Sequence, residues 1–387
     1  MTATDWIWTS LAIGDLVAAL ICGFLWALSE RVIRSLSDAP ATFEGHWPRV
    51  SIVVAARNEE RNIEEGVRSL LALDYPDLQI TVVNDRSTDA TVEILTRVAN
   101  EDPRLNVVTI DMLPAGWLGK NNALHVGAAR SDGAWLLFTD ADVIFAPDTL
   151  RKAVAMAETG QVDHLTAAPK VTTPSFWLRA FVPVFSMCFV LYVKAWAIRS
   201  KDKSACVGIG AFNLVRKSAY QAIGGHEKLR LRPDDDVKLG KVLKAAGFQQ
   251  EFVVGADHLA VEWYTTVGEL IRGLEKNTFA GADYRCWFVL FAIGILLVCY
   301  VLPFFAMFVA PWPANLMFAV AAVVYVIFAG RACRSNGQPA YLGVLFPLGV
   351  LLFAMIQLRT MVLNLSQGGL HWRDTFYPLD ELRRNAV

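Results

Sequence analysis

The stretch Ala134-Trp135-Leu136-Leu137-Phe138-Thr139-Asp140-Ala141-Asp142 is an apolar run that ends at two carboxylates one residue apart. Such a run predicts a buried strand of a parallel sheet. Side chains alternate between the faces of a strand, so Asp140 and Asp142 are expected to point the same way. Ligands of open α/β sheets bind just beyond the carboxyl ends of the strands. Two carboxylates there suit a hard divalent cation that holds phosphate oxygens, although Asp is also common in turns.

Strand-like and helix-like segments alternate around this stretch. Strands are predicted at Val50–Ala55, Gln79–Val83, Leu105–Ile110 and Trp135–Thr139, with intervening helices that end near Leu73, Asn100 and Arg130. This alternation predicts an α/β fold, a Rossmann-like and mostly parallel sheet with helices on both faces.

The chain is more apolar than an ordinary soluble protein: 54% of its 387 residues are hydrophobic, and the mean hydropathy is +0.37. Four apolar blocks approach or exceed the length that spans a hydrocarbon core of roughly 30 Å. They are Leu11–Leu28, Cys286–Ala310, Trp312–Gly330 and Tyr341–Leu363. Buried core helices of a soluble protein are the alternative interpretation. Arg31 and Arg34 follow the first block, whereas only Asp5 precedes it, so the positive-inside rule predicts a cytosolic domain after it.

The blocks divide the chain into an N-terminal anchor (1–37), a catalytic domain (38–285), C-terminal membrane helices (286–365) and a tail (366–387). A multi-pass protein of the cytoplasmic, inner membrane is expected. Three crossings after a cytosolic domain would leave the tail outside. Yet five arginines of this region are candidate inside charges: Arg331, Arg334, Arg373, Arg383 and Arg384. A block that is re-entrant or split at its proline would remove this conflict, and the sequence leaves the choice open.

A further apolar block, Phe176–Ile198, is interrupted by Arg179, Pro183 and Lys194. The interruptions favour an amphipathic helix in the membrane interface over a span. Such a helix would bury aromatic side chains against lipid, namely Phe176, Trp177, Phe181 and Phe185. This block lies in the chain between the two carboxylates and the pair Gly224-Gly225.

Charge and cysteine content exclude several other functions. The net charge is −1 with no basic stripe, so no nucleic acid partner is expected. The six cysteines show no CxxC spacing and indicate neither a zinc site nor a disulfide framework.

The first strand-to-helix turn, Ala55-Ala56-Arg57-Asn58-Glu59, contains no glycine. A dinucleotide site would require Gly-x-Gly-x-x-Gly at this turn, and a P-loop would require Gly-Lys-Ser/Thr. Instead, acidic residues follow the strands: Glu59, Asp85, Asp140 and Asp142. Because these would repel an unscreened phosphate, a nucleotide bound here requires a divalent cation, Mn²⁺ or Mg²⁺.

Six short motifs in order resemble those of family 2 glycosyltransferases with a GT-A fold. They are Val53–Glu59 (VVAARNE), Val82–Asp89 (VVNDRSTD), Gly119–Leu124 (GKNNAL), Thr139–Asp142 (TDAD) and, in the acceptor half, Gly224–Glu227 (GGHE) followed by Pro233–Gly240 (PDDDVKLG). The resemblance covers roughly residues 50–285. The last motif departs from the family's usual Glu-Asp pair.

The resemblance implies a role for each matching residue. Nucleotide-sugar binding falls to Glu59, Asp85, Lys120 and Asp140, with Asp85 on the base. Asp142, with Asp140, would bind the metal. Asp236 would be the general base, Asp235 is the fallback because the three consecutive aspartates leave the register uncertain, and Gly224, Gly225 and His226 would border the acceptor. Simpler interpretations compete: Asp85 as a helix cap, Lys120 as a solvated surface lysine, and Asp234–Asp236 as an acidic helix N-terminus.

The function expected is that of an inverting glycosyltransferase. It would move one sugar from a nucleotide sugar, UDP-linked, to a lipid or polyprenoid acceptor at the cytoplasmic face of the membrane. The absence of glutamine-x-x-arginine-tryptophan after the acceptor half favours a single transfer over polymerisation. A polyprenyl-phosphate sugar transferase or polysaccharide synthase is the alternative enzyme. A non-catalytic membrane scaffold with a degenerate GT-A domain is the alternative from another class.

Overall fold

A computed structural model describes residues 2–40, 43 and 45–387, which form two compact units. The sheet unit comprises Ile33–Thr172, Val193–Glu262 and Arg384–Val387. The helical unit comprises Met1–Val32, Thr173–Tyr192 and Trp263–Arg383. The division into 1–37, 38–285, 286–365 and 366–387 stays a prediction.

The described part of the sheet unit contains eleven strands. They are β1 (Arg34–Ser35), β2 (Val50–Ala56), β3 (Leu78–Asp85), β4 (Leu105–Ile110), β5 (Trp135–Asp140), β6 (Val143–Phe145), β7 (His164–Ala168), β8 (Lys170–Thr172), β9 (Asn213–Arg216), β10 (Gln250–Val254) and β11 (Leu259–Glu262). Eight form one sheet in the order β1-β10-β7-β9-β5-β2-β3-β4, and β6-β11-β8 form a second. In the large sheet β9 runs antiparallel to β5 and β7, and the other pairs are parallel.

Helices in the described residues are numbered along the whole chain. They are α1 (Ala3–Val32), α2 (Ile63–Leu71), α3 (Thr91–Glu101), α4 (Gly119–Ala129), α5 (Thr149–Thr159), α6 (Phe176–Tyr192), α7 (Lys217–Ala222), α8 (Asp235–Ala245), α9 (Val267–Leu274), α10 (Thr278–Gly281), α11 (Cys286–Tyr300), α12 (Leu302–Val309), α13 (Ala314–Ser335), α14 (Phe346–Gln367) and α15 (Leu379–Arg384). A hairpin of β12 (Gly369–Trp372) and β13 (Thr375–Pro378) follows α14 in the helical unit. The predicted α/β fold with a mostly parallel sheet is confirmed.

The alternation of side chains in β5 explains why its apolar run is continuous. Leu137 is buried with Ile52 in a cluster on one face of the sheet. Leu136 and Phe138 are buried with Val53 in a second cluster on the other face. Because both faces are covered, neither set of side chains can be polar.

Helices supply the cover on each face. Ile63 of α2 joins the first cluster, and Leu124 of α4 joins the second. Their packing fixes the direction in which each helix leaves its strand, and so it fixes the loops at the carboxyl ends of β2, β3 and β5.

Among the described residues of the helical unit, three helical segments are long and apolar enough to cross a membrane. They are Ala3–Val32 (α1), Ala314–Ser335 (α13) and Ala340–Gln367, which includes α14. The pair α11 and α12 would make a fourth, but it is bent by 44°. The bend lies at Val301, next to Pro303. A proline that lacks an N–H donor and clashes with the preceding turn accounts for the break.

The interrupted block predicted at Phe176–Ile198 forms helix only as far as Tyr192. Phe176 and Trp177 are exposed, as a lipid-facing surface requires. Phe181 is only 1% exposed and packs in a cluster within the helical unit, with Leu270 and its neighbours. The expectation that Phe181 faces lipid is therefore wrong, because the aromatic spacing of α6 reflects internal packing.

Candidate active site

The ends of β2, β3 and β5 lie in register at one edge of the large sheet. Ala55 of β2 pairs with Asp140, the last residue of β5. Ala56 of β2 pairs with Asn84, which precedes the last residue of β3, Asp85. The loops after β2 and β3 and the turn after β5 therefore start side by side.

Backbone hydrogen bonds tie the loop after β2 to the loop after β3. The Asn58 N–H donates to Ser87 Oγ at 3.0 Å, and the Thr88 N–H donates to Asn58 Oδ1 at 2.8 Å. The Glu59 N–H donates to Thr91 Oγ1 at 2.8 Å. Glu59 is thereby held at the site edge by polar contacts that need no glycine.

Two arginines fix the carboxylate of Asp85, which is 3% exposed. Arg86 donates from Nε to Oδ1 at 2.8 Å and from Nη2 to Oδ2 at 3.0 Å. Arg57 Nη1 lies 3.8 Å from Oδ2. A Cβ at Gly119 would lie 2.1 Å from Oδ2, so the start of α4 approaches the carboxylate too closely for any side chain. The arrangement holds the Asp85 carboxylate in one orientation.

The competing interpretation of Asp85 as a helix cap does not fit the structure. The following helix, α3, begins only at Thr91. The carboxylate near its start belongs to Asp89, whose Oδ1 accepts from the Thr91 N–H at 3.1 Å. The sequence does contain an aspartate that bonds to the start of α3, but this residue is Asp89 and not Asp85.

Lys120, in the first turn of α4, joins two acidic groups of the site. Its Nζ donates to Asp140 Oδ1 at 2.6 Å and lies 3.9 Å from Asp235 Oδ1. Burial opposes the charged ammonium, but Asp140, Asp235 and Asp236 outweigh it and raise the pKa of Lys120. The side chain is 28% exposed and paired, so it is not a solvated surface lysine.

Asp142 lies beyond the end of β5, in the turn before β6, so strand alternation does not position it. Burial raises the pKa of Asp142 to about 7, and the carboxylates of Asp140 and Glu59 add to the shift. The carboxylates of Asp140 and Glu59 therefore repel that of Asp142 in this half-buried turn. Such repulsion is relieved by a cation or by a proton.

The donor set fits a divalent metal ion that a ligand helps to hold. Within the described ranges, no three His, Cys, Asp or Glu side chains converge as a complete metal cage. Mg²⁺ bound with nucleotides usually takes one or two carboxylates, with phosphate oxygens and water as the other ligands. Asp140 and Asp142 match that smaller requirement.

The three consecutive aspartates before and within α8 have different surroundings. Asp234 accepts two hydrogen bonds from the buried Arg232, both at 2.9 Å, and Lys238 Nζ lies 3.7 Å from it. Asp235 is 4% exposed and faces Lys120. Asp234 is therefore occupied by a structural ion pair, and Asp235 and Asp236 remain as candidates for chemistry.

Asp236 is held by backbone donors. Its Oδ2 accepts from the Gly210 N–H and its Oδ1 from the Val237 N–H, each at 2.8 Å. Burial, together with Asp140 and against Lys120, leaves the pKa of Asp236 raised. A carboxylate has about four acceptor positions, so about two remain for further donors such as a hydroxyl group.

Gly210 lies between the two acidic halves of the site. A Cβ at this position would be 2.7 Å from Asp140 Oδ2 and 3.4 Å from Asp236 Oδ2. At Gly208 it would be 1.8 Å from the backbone oxygen of Asp236. The segment before β9 must therefore be glycine-rich for α8 and β5 to bring these carboxylates together.

The Gly224–His226 turn has a structural role in the sheet unit. Gly224 and Gly225 have positive φ angles of 80° and 57°. His226 is 1% exposed, and its Nδ1 lies 2.8 Å from Tyr220 Oη. Burial and the charge of Lys120 lower the pKa of His226 to about 3, so the ring is neutral. A role of this turn at the acceptor stays a prediction.

Four residues of the site were not singled out from the sequence: Arg57, Arg86, Gly210 and Asn121. The first two stand inside motifs that resemble the family, and Asn121 follows Lys120 directly. Its Nδ2 donates to the backbone oxygens of Leu229 and Arg232 at 2.5 and 2.9 Å. No signal in the sequence pairs Asn121 with a segment a hundred residues later.

The chain is similar in sequence to a known family and to known proteins. Residues 51–224 match the family model "Glycosyl transferase family 2". The chain is 29% identical over 249 residues to the beta-monoglucosyldiacylglycerol synthase of Synechocystis sp.. It is 26% identical over 238 residues to the 4,4'-diaponeurosporenoate glycosyltransferase of Staphylococcus aureus. The alignments cover 62% and 60% of this chain but only 50% and 61% of those proteins, so the chain spans less than two thirds of each.

A solved structure shares the fold over most of the chain. It is the mannosyltransferase PcManGT from Pyrobaculum calidifontis in complex with GDP-Man and Mn²⁺, with a TM-score of 0.59 and 19% identity. The match covers 91% of this chain and 99% of the other. Together with the motifs and the sheet, the matches identify residues 51–224 as a glycosyl transferase family 2 domain and the fold of the sheet unit as GT-A.

Proposed function

We propose that the protein transfers a single sugar from a nucleotide sugar, UDP-linked, to a lipid or polyprenoid acceptor, with inversion at the anomeric carbon. The observation that carries the proposal is the convergence of Asp85, Lys120, Asp140, Asp142 and Asp236 at the ends of β3 and β5 and the starts of α4 and α8. A non-catalytic protein with this fold would not require four aspartates and a lysine together at one site.

The nucleoside half of the donor would bind at Asp85. The two arginines fix its carboxylate, which can accept a hydrogen bond from the N–H of a base. Glu59, held at the same edge, would complete the nucleoside site.

The diphosphate would bind where Asp140 and Asp142 meet. A divalent ion, Mn²⁺ or Mg²⁺, held by these two carboxylates would screen the charge of the leaving diphosphate. Lys120 carries a positive charge at the same place and can contact a phosphate oxygen when the donor displaces its contact with Asp140.

Asp236 would supply the base. In an inverting transfer, the acceptor oxygen forms a bond to the anomeric carbon as the bond to the diphosphate oxygen breaks. Asp236 takes the proton that the acceptor hydroxyl loses. Its raised pKa makes the carboxylate a stronger base than an exposed aspartate. Asp235 is the fallback for the base, because it directly precedes Asp236 and its carboxylate faces Lys120.

The acceptor class rests on the relatives and on the apolar helices. The names of the two relatives specify a glucosyldiacylglycerol and a diaponeurosporenoate as their lipids. Three helices long enough to span a bilayer would hold the protein in the membrane that contains such an acceptor. The basic residues after α1 favour the cytoplasmic face of the inner membrane for the sheet unit.

A panel of labelled nucleotide sugars tests the function directly. Membranes containing the protein are incubated with each donor, and the lipids are extracted and analysed by mass spectrometry. We expect one donor to label a lipid by a single sugar, with an anomeric configuration opposite to that of the donor. No labelled lipid with any donor, in the presence of Mn²⁺ or Mg²⁺, would contradict the proposal, and a ladder of sugars would favour a polysaccharide synthase.

Donor binding gives a narrower prediction. Asp85→Asn keeps the shape of the side chain but removes the charge that Arg86 and Arg57 surround. We expect the donor KM or the Kd of the nucleoside diphosphate to rise about tenfold or more, because the amide is a poorer acceptor and its N–H₂ group meets the arginines. Asp102→Asn, whose carboxylate pairs with Arg104 at the far end of α3, is the matched control. Equal donor affinity in the Asp85 variant and the parent would remove Asp85 from the nucleoside site.

A further inference from the structure

The C-terminal residues belong to the same compact unit as the candidate active site. Residues Arg384–Val387 lie in the sheet unit, although α15 before them belongs to the helical unit. Asn385 accepts from the Leu231 N–H through Oδ1 at 2.9 Å and donates to the Lys228 backbone oxygen through Nδ2 at 3.1 Å. One side chain thus bridges both ends of a short loop.

This loop, Lys228–Arg232, is held from two sides. From α4, Asn121 Nδ2 donates to the oxygens of Leu229 and Arg232, and the N–H of Leu118, just before α4, donates to the Arg230 oxygen at 2.8 Å. Those two donors stand next to Lys120. The loop therefore connects the lysine of the donor half to the aspartates that follow it.

The same tail also contacts the helix that carries Asp235 and Asp236. Lys241 of α8 donates from Nζ to the backbone oxygen of Val387 at 2.6 Å. Val387 is partly buried against a cluster that includes Leu239 and Leu243 of α8. The tail thus braces both the loop before the acidic pair and the helix after it.

From these contacts we infer that Asn385 is a positioning residue for the proposed transfer: it fixes the loop that sets Asp235 and Asp236 against Lys120. The inference rests on the proposed function. Asn385 would not touch the substrate. Its loss should slow the transfer step and leave the nucleoside site, which is built on β2, β3 and α4, intact.

The test compares Asn385→Ala with Glu381→Ala, an exposed residue of α15, in the full chain in membranes. We expect Asn385→Ala to lower kcat about tenfold with the donor KM changed less than twofold, and Glu381→Ala to change neither. Amide hydrogen exchange at Lys228–Arg232 should become faster in Asn385→Ala while exchange in β2 and β5 stays slow. Unchanged exchange in this loop, or an unchanged kcat in an active parent, would overturn the inference. An inactive parent would contradict the proposed function instead, and the exchange result would still decide whether Asn385 holds the loop.

A second, independent observation concerns the path by which the chain reaches this tail. In the helical unit, α1 and α13 run parallel: Trp8 meets Phe318 near their starts, with ring centroids 6.2 Å apart, and Glu30 forms an ion pair with Arg331 near their ends. The ends of α1 and α13 therefore lie at one face of the helical unit, the face at which Arg31 and Arg34 stand.

The segment after α13 turns back along it. A Cβ at Gly343 would lie 2.5 Å from the backbone nitrogen of Gly330, and Phe346 stacks on Tyr325 at 5.7 Å. Tyr325 is ten residues before the end of α13, which corresponds to about 15 Å along a helix axis. The chain has thus gone about halfway into a hydrocarbon core of roughly 30 Å.

From Phe346, α14 returns to the face it came from. A Cβ at Gly349 would lie 2.7 Å from Val184 of α6, and Phe353 meets Phe181 of α6 at 6.2 Å. Further along, Arg359 pairs with Glu275 at 2.8 Å. Phe346 also meets Tyr300 at the end of α11, at 5.8 Å, and Glu275 precedes α11, so α14 runs back along α11 to the face at which α11 begins.

The geometry points to a re-entrant hairpin: Ala340–Gln367 enters the membrane and leaves it on the same face, while the bent pair α11 and α12 crosses. Ala306 and Ala310 of α12 pack against Ala12, in the N-terminal half of α1, which agrees with a crossing. The five arginines that are candidate inside charges then lie on the cytoplasmic side, as the positive-inside rule requires: Arg331, Arg334, Arg373, Arg383 and Arg384. The expected three crossings and the conflict over the tail are both replaced by two crossings and an inside tail.

Cysteine accessibility tests this arrangement. Single substitutions Asp132→Cys in the sheet unit, Ala386→Cys in the tail and Trp312→Cys between α12 and α13 are labelled with a membrane-impermeant maleimide in vesicles of known orientation. The parent chain gives the background from its six cysteines. We expect positions 132 and 386 to react from one side and position 312 from the other. Reaction of 386 together with 312 would mean that Ala340–Gln367 crosses, and reaction of 312 together with 132 would mean that the bent pair does not; either result overturns the hairpin.

Discussion

Replacing Asp236 by asparagine is expected to lower kcat for sugar transfer by on the order of 10²–10⁴-fold, because the variant keeps the shape of the side chain and loses its basicity. The amide oxygen can accept from only one of the two backbone donors, Gly210 or Val237, so thermal unfolding of the variant is compared with that of the parent to separate lost basicity from lost stability. The donor half is built on β3, β5 and α4. The donor KM should therefore stay within a few-fold of that of the parent.

The neighbouring aspartates provide the control for this prediction. Asp235→Asn weakens the contact with Lys120 and should reduce activity less if Asp236 is the base. Initial rates with the best donor, together with nucleoside diphosphate affinity measured by calorimetry, separate loss of chemistry from loss of binding. Normal transfer by Asp236→Asn together with an inactive Asp235→Asn would assign the base to Asp235.

The sequence predicted the elements of the sheet closely where hydrophobic periodicity determines them. The strand predicted at Leu105–Ile110 has those bounds in the structure, and the others differ at their ends by one or two residues. Buried parallel strands reveal themselves because both faces must be apolar, as the two clusters around β5 illustrate.

What the sequence could not supply is contact across long separations. The pairing of Asp85 with Arg86 is local, but the approach of Gly119 to Asp85 depends on how α4 packs against the sheet. The bridge from Asn385 to Leu231 joins residues 154 positions apart. Nothing in the composition of a polar tail indicates such a partner, because a single asparagine has no periodicity.

Alternation failed at one point that matters for the site. It placed Asp140 and Asp142 on one strand face, whereas β5 ends at Asp140 and Asp142 lies in the turn. The two carboxylates still interact, as the raised pKa of Asp142 indicates. In this chain the turn after β5, and not strand alternation, brings the two carboxylates of the Asp-x-Asp motif together. The sequence pattern thus predicted the right pair of residues for the wrong geometric reason.

Asp142→Ala is expected to reduce donor turnover by on the order of 10²–10³-fold or more, since a principal electrostatic stabiliser of the leaving diphosphate would lose a ligand. Removal of metal from the parent with EDTA should have the same effect. Adding Mn²⁺ or Mg²⁺ back should restore the parent but not the variant. Turnover is measured as nucleoside diphosphate release with and without acceptor lipid.

Asp142→Asn distinguishes a metal ligand from a carboxylate that only shapes the turn. In the protein without metal, Asp142 is crowded by Asp140 and Glu59, and its pKa of about 7 shows that its charge is unfavourable there. A neutral amide should therefore leave the fold as stable as the parent or more so, which thermal unfolding in EDTA would measure. If the carboxylate binds a cation, the same variant should nevertheless lose turnover and its response to Mn²⁺, because an amide oxygen is a weaker ligand for a hard ion. A variant that is stable, active and unaffected by EDTA would mean that the turn keeps Asp142 for another reason and that the diphosphate is screened by Lys120 alone.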